Sequence, residues 1–161
     1  MEIFELLLSF LLATLMYVVA IMLIIVMLNF VSCNHPGSED SLTENADSFS
    51  CHYFNWQYQK ALRYVTPESE KWLRFEASQV HQVDVDMLKA MDEGAACEIG
   101  EVTYLNDDSL ATVKVDVKNY LGKDTIGAAS HIVEKATFVL NMVYKNDKWL
   151  VKLNSVPRRL K

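Results

Sequence analysis

No lysine or arginine occurs before Lys60, so the amino-terminal third of the chain offers no positive charge at all. Over 161 residues 15 basic side chains face 21 acidic ones, a net charge of −6. Setting aside Glu2 and Glu5 still leaves 19 acids against the same 15 bases. Such a balance supplies no field that would gather a polyanion, and nucleic acid is excluded as an expected partner. The closing Arg158, Arg159 and Lys161 read as a solvated basic end. Cysteine is scarce and odd in number, three residues in all. His35, His52, His81 and His131 lie far apart and lack the spacing of metal ligands, so no metal is expected. The five glycines form no phosphate-cradling loop, and Gly122 and Gly127 lack the strand–loop–helix order that such a loop requires. No internal repeat is present.

A catalytic acid–base pair is also missing from the pattern. Asp107, Asp108 and Asp147 fall in turns and Asp116 on a polar strand face. Glu134 shares parity with Phe138 and Leu140, but near a strand end it reads as a rim residue. No catalytic residue, cofactor or enzymatic activity is therefore expected.

What is abundant is apolar sequence at the start. Leu6 to Leu28 is interrupted only by Ser9, Thr14 and Tyr17. As a helix it reaches about 35 Å, enough for a hydrocarbon core of about 30 Å. The run ends in Phe30-Val31-Ser32-Cys33, which resembles a lipobox with Cys33 as the lipidated residue. Phe30 stands where leucine is usual, and the leader lacks the customary basic residues. Two readings stay open: a cleaved lipoprotein signal, or a retained transmembrane helix whose length exceeds the usual signal core. Either makes 1–33 a membrane anchor, with the soluble part in the periplasm or at the cell surface. Residues 34–50, rich in Ser, Asp, Glu and Asn, read as a flexible tether.

From 51 onward the chain reads as an α+β domain, 51–161. Cys51 to Val65 carries a helical stripe of Tyr53, Phe54, Tyr58, Ala61, Leu62 and Val65. Thr66-Pro67-Glu68 starts a second helix, with Trp72, Leu73, Phe75 and Ala77 facing inward. A third runs from Asp84 to Met91. Four strands follow. Ala95 to Leu105 has Gly100 as a candidate bulge. Leu110 to Lys118 alternates with Ala111, Val113, Val115 and Val117 on one face. His131 to Leu153 forms a hairpin about Asn146-Asp147, with Ile132, Ala136, Phe138, Leu140, Met142 and Tyr144 on one side. Such a hairpin needs other elements over its apolar face.

Tyr53-Phe54, Tyr58-Gln59-Lys60-Ala61, Thr66-Pro67-Glu68-Ser69 and Asn146-Asp147-Lys148-Trp149-Leu150-Val151-Lys152 resemble a known family. It is the cone-shaped fold of nuclear transport factor 2 and ketosteroid isomerase, as found in small Gram-negative bacterial lipoproteins of unassigned function. The likeness spans roughly 51–155. It implies about three helices packed on a curved antiparallel sheet of about four strands. The hollow of such a cone binds small molecules, binds partners, or is filled by side chains. Tyr58, Trp72, Phe75 and Phe138 are candidate lining residues, with ordinary core packing as the alternative. The connection 119–130 is a candidate binding loop through Tyr120, Leu121 and Ile126. Were Cys33 lipidated, Cys51 and Cys97 would remain to pair as a disulfide; two buried thiols are the alternative.

The expected role is a membrane-anchored module that recognises a protein partner or small ligand. A structural subunit of an envelope or secretion complex, with a retained span, and an isomerase- or dehydratase-type enzyme are the alternatives. The intact mass of the mature chain separates the two anchors. Loss of residues 1–32 with acyl mass on Cys33 marks the lipoprotein, and a full-length chain marks the retained helix.

Overall fold

The computed structural model describes residues 3, 14–19, 21–22, 37–105, 109–125 and 127–160. The chain divides into two units, Met1–His35 and Pro36–Lys161. In the first, the described residues are helical and expose Leu15, Met16, Tyr17 and Met22. Among the described residues no helix is long and apolar enough to cross a membrane. Most of the apolar run 6–28, and Cys33 with it, lie outside the described residues.

The second unit opens on a helix where a tether was expected. Helix α1, Glu39–Phe54, begins at Ser38, whose side chain accepts from the Ser41 N–H, and Glu39 and Asp40 suit its positive end. Leu42, Ala46, Phe49 and Tyr53 recur at spacings of four, three and four, and all are buried. Ser50 joins them by returning its hydroxyl to the Ala46 carbonyl at 2.7 Å. The polar composition of 39–50 describes the solvent side of a helix, not a coil.

Helix α1 stops at Phe54 instead of running to Val65. Trp56 takes a left-handed φ of 59°, uncommon for a bulky residue, and its indole N–H donates to the Leu121 carbonyl at 3.1 Å. Asn55 turns its amide to Ala95: Nδ2 donates to the carbonyls of Cys51 (2.8 Å) and Ala95 (3.0 Å), and Oδ1 accepts from the Ala95 N–H (2.9 Å). A single turn, α2 (Tyr58–Ala61), and 3-10 turns at Leu62–Tyr64 and Pro67–Ser69 lead into α3 (Glu70–Ser78) and α4 (Gln82–Ala90).

Strands β1 (Ala96–Tyr104), β2 (Leu110–Gly122), β3 (His131–Lys145) and β4 (Lys148–Val151) form one antiparallel sheet in sequence order. The expected α+β class and four-stranded antiparallel sheet are present. The register shifts by one residue between Ile99 and Val102, a bulge at the expected Gly100. Asn146 and Asp147 both adopt positive φ in the β3–β4 turn. Ala111, Val113, Val115, Val117, Phe138, Leu140, Met142, Trp149 and Val151 make the dry face, covered by α1. The wet face carries Lys114–Glu101 (2.6 Å), Lys118–Glu98 (3.4 Å) and Lys135–Asp116 (2.7 Å).

β3 keeps its expected bounds, and β2 runs beyond the expected Lys118 to Gly122. Within β2, Asn119 takes a φ of 52°, and beyond it the inward position passes from the odd residues to Tyr120. On β3 the same slip turns Val133 toward the core and leaves Ile132, expected on the dry side, 52% exposed. Glu134 sits at this bend, exposed.

The Asn55 amide is the joint between helix and sheet, and a Cβ on Gly94 would collide with its Oδ1. Asn55→Ala, which strands the Ala95 N–H, is expected to lower stability by about 1–3 kcal/mol. Gly94→Ala should destabilise through the same joint. Denaturant midpoints check both, and the unaltered slope m distinguishes lost contacts from a changed fold.

Candidate functional site

A cavity of about 990 Å³ opens where α1 ends, beside the Tyr120–Val133 end of the sheet. Tyr53 and Phe54 close α1 along it, Trp56 and Tyr58 follow, α3 contributes Trp72, Phe75 and Glu76, and the sheet contributes Tyr120, Val133 and Phe138. The carboxy-terminal stretch Ser155–Leu160 crosses its mouth. That strap is pinned by Arg159 to Asp124 at 2.7 Å and by the Leu160 N–H to the Thr137 carbonyl at 2.8 Å. A smaller groove of about 690 Å³ lies between α2 and α3, and Trp56, Tyr58 and Val80 line both hollows.

Tyr58, Trp72, Phe75 and Phe138, the four candidate lining residues, all stand on the cavity wall. The rings form a connected array: Phe54–Phe138 centroids are 4.5 Å apart, Tyr53–Tyr58 5.6 Å and Tyr120–Phe138 5.7 Å. The expected binding loop requires correction. Tyr120 and Leu121 belong to β2, buried at 5% and 2% exposure; the slip at Asn119 turns Tyr120 into the core, and Leu121 is buried on the opposite side of the strand. Their contribution is to the cavity floor. Ile126 lies outside the described residues.

The connecting loop is shortened to the residues between Gly122 and His131, and one carboxylate holds both of its ends. Asp84, 1% exposed, accepts from Lys123 Nζ at 2.7 Å, Ser130 Oγ at 2.6 Å and the His81 N–H at 2.9 Å. Lys123 also donates to the Gln79 carbonyl at 2.7 Å and stands 5.6 Å from the Trp56 ring centre. Burial alone would push the Asp84 carboxyl up; Lys123, Ser130 and His81 outweigh it and hold the group well below the usual carboxylate range.

Glu76 stands opposite this clasp in character. Burial raises its pKa, and Lys123 opposes the rise without making an ion pair with it. Burial, reinforced by the Glu76 charge, also raises Tyr53 and Tyr58, so both remain neutral phenols. No hydrogen bond to either phenol or to the Glu76 carboxyl is made among the described residues. Three hydrogen-bonding groups thus face an aromatic hollow without protein partners. In sequence Glu76 is one acid on a charged helix beside Arg74 and Lys71, and its spacing of four from Trp72 is the one local signal that it shares that face. Among the described residues no group of three His, Cys, Asp or Glu side chains could hold a metal ion.

Fold and site together define an α+β domain with a helix-covered antiparallel meander and an aromatic pocket at its uncovered end. Neither a family model nor a curated protein matches the chain. Among solved structures, the chain is similar to an Ntf2-like protein involved in plasmid conjugation, at 14% identity and a TM-score of 0.32. The match covers 75% of this chain and spans 50% of that protein's length.

Removing the Asp84 charge leaves the Lys123 ammonium buried without a counter-ion, so Asp84→Asn should cost about 3–5 kcal/mol. Because its folded pKa is lowered, the stability Asp84 contributes is complete above about pH 5. It is lost as pH falls through and below the unfolded value near about 3.9. Glu76 has the opposite sign. Its raised folded pKa contributes stability in acid that is lost as pH rises through the folded value, so Glu76→Gln should raise Tm at neutral pH and not in acid. Thermal unfolding of both variants between acid and neutral pH checks the two signs.

Proposed function

We propose that this domain is a binding module of the nuclear transport factor 2-like cone type, which takes a small apolar ligand or an apolar segment of a protein partner at the open end of its sheet. The leader fastens it to a bilayer, with the domain outside the cytoplasm. The observation that carries the reading is the cavity wall itself. Eight aromatic side chains line it, and its Tyr53, Tyr58 and Glu76 polar groups lack protein partners among the described residues. That is the composition of a recognition pocket: apolar area for affinity and a few convergent polar groups for orientation.

Native mass spectrometry of the full chain released from its membranes should show a bound small molecule or a stoichiometric protein. Trp72 and Phe75 are only partly buried, so the Trp72→Ala, Phe75→Ala pair should lower occupancy at least about tenfold while the domain stays folded. A chain that leaves the membrane empty, and whose tryptophan emission is unmoved by apolar ligands, contradicts the reading.

A second reading rests on Glu76 alone. A half-buried carboxyl whose proton is held more tightly than usual, facing two phenols, has the character of a general acid or base in an isomerase- or dehydratase-type enzyme. Glu76→Gln separates the two. Binding that survives the change while turnover of the bound compound is abolished favours the enzyme. Binding with no turnover in either form favours the module.

A further inference from the structure

We propose that Cys51 and Cys97 are a modification site: under oxidising conditions they join in an intramolecular disulfide that fastens α1 to β1 and closes the helical wall of the pocket into a covalent loop. The placement follows from the Asn55 joint. That side chain bonds the backbone of Cys51 on one side and both polar groups of Ala95 on the other. Cys51 sits four residues before the joint, about 6 Å along the axis. Cys97 sits two strand positions after it, about 6.6 Å on, and on the same face as Ala95. Both thiols are therefore one short step from the same fixed point. The helix and the strand that carry them pack together, and the two half-buried thiols are near enough for each to perturb the other's proton affinity. In the structure they are free thiols.

Burial raises both thiols, Cys97 to about 12, with Asp47 adding its charge, so neither has the depressed pKa of a catalytic nucleophile. The pair suits a slow-forming structural bridge. With a low-molecular-weight disulfide such as oxidised glutathione, the Cys51 thiolate attacks one sulfur of the oxidant and expels a glutathione thiolate. The Cys97 sulfur then attacks Cys51 in that mixed disulfide and expels the second glutathione. One glutathione disulfide is reduced to two thiols, and the protein loses two hydrogens. The loop so closed contains Trp56, Tyr58, Trp72, Phe75 and Glu76, together with Gln79 and Val80, all of them residues of the pocket wall beyond α1 itself. Oxidation would restrain the one wall of the cavity that is built from short helices and turns, while the sheet wall is held by its own ladder. The inference does not depend on what the pocket binds.

The full chain is incubated with oxidised glutathione, its remaining thiols are alkylated, and it is digested without reduction. The expected product is a peptide pair linking Cys51 to Cys97. Oxidised protein should also melt roughly 10 °C above its reduced form. Cys51→Ser and Cys97→Ala should each melt at one temperature in both states. Full alkylation of both cysteines after oxidation overturns the proposal, as does a link from either one to Cys33 or to a second chain. So does a linked protein with an unchanged melting temperature, because the bridge would then restrain nothing.

Discussion

A sheet with one dry face has to be covered along its length, and everything distinctive about this domain follows from how far that cover extends. Helix α1 has 16 residues and β3 has 15. At about 1.5 Å per helical residue the cover spans about 24 Å. At about 3.3 Å per strand residue β3 spans about 50 Å. No single helix of that size can follow the strand to its end. The mismatch falls at the Tyr120–Val133 end, and there the cavity lies. The hollow is a consequence of geometry, and the aromatic residues around it are what the chain supplies to line a space that backbone elements leave open.

Ending the helix early exposes carbonyls and leaves the following residues in an awkward path, and the structure answers both with long-range bonds. Asn55 satisfies the start of β1, while Trp56 accepts a left-handed backbone in return for an indole bond to β2 and a ring contact with Lys123. A strained tryptophan that lines two hollows is held by its surroundings and not by local preference. Asp84 performs the matching task on the other rim. By gathering Lys123 and Ser130 on one carboxylate it brings the two ends of a loop together beside the cavity mouth. Desolvating that anion is costly, and three donors make the arrangement favourable only so long as all are present.

The sheet was legible in the sequence because its signals are local. The alternation of Ala111 to Val117, the Asn146-Asp147 turn and the Gly100 bulge each depend on neighbours a few positions away. What escaped were features decided at a distance. The stripe Leu42, Ala46, Phe49, Tyr53 is helical in spacing, but polar residues outnumber it, so the segment reads by composition as a tether. The break after Phe54 depends on Ala95 and Leu121. The extension of β2 passes through Asn119 at positive φ, which brings Tyr120 from an expected loop into the core and Leu121 into a buried strand position. Four cavity residues, Tyr58, Trp72, Phe75 and Phe138, could be picked out as aromatics at helix and strand positions. Glu76 could not, since a lone acid on a charged helix gives no sign of what faces it.

The polar groups of the cavity decide what kind of hollow this is. An unpaired buried hydroxyl costs free energy, and among the described residues the buried side-chain polar atom left without a partner is Trp149 Nε1, not a cavity phenol. Tyr53 is 7% exposed, yet its ring is held by Phe49, Phe54 and Tyr58 while its hydroxyl takes no protein partner among the described residues. The neighbouring Asp84 shows that the same region can satisfy a buried polar group completely where structure requires it. The contrast between a carboxylate with three donors and a carboxyl and two phenols with none, side by side in one small domain, separates a closed polar clasp that holds the fold from polar groups that stay open to the hollow.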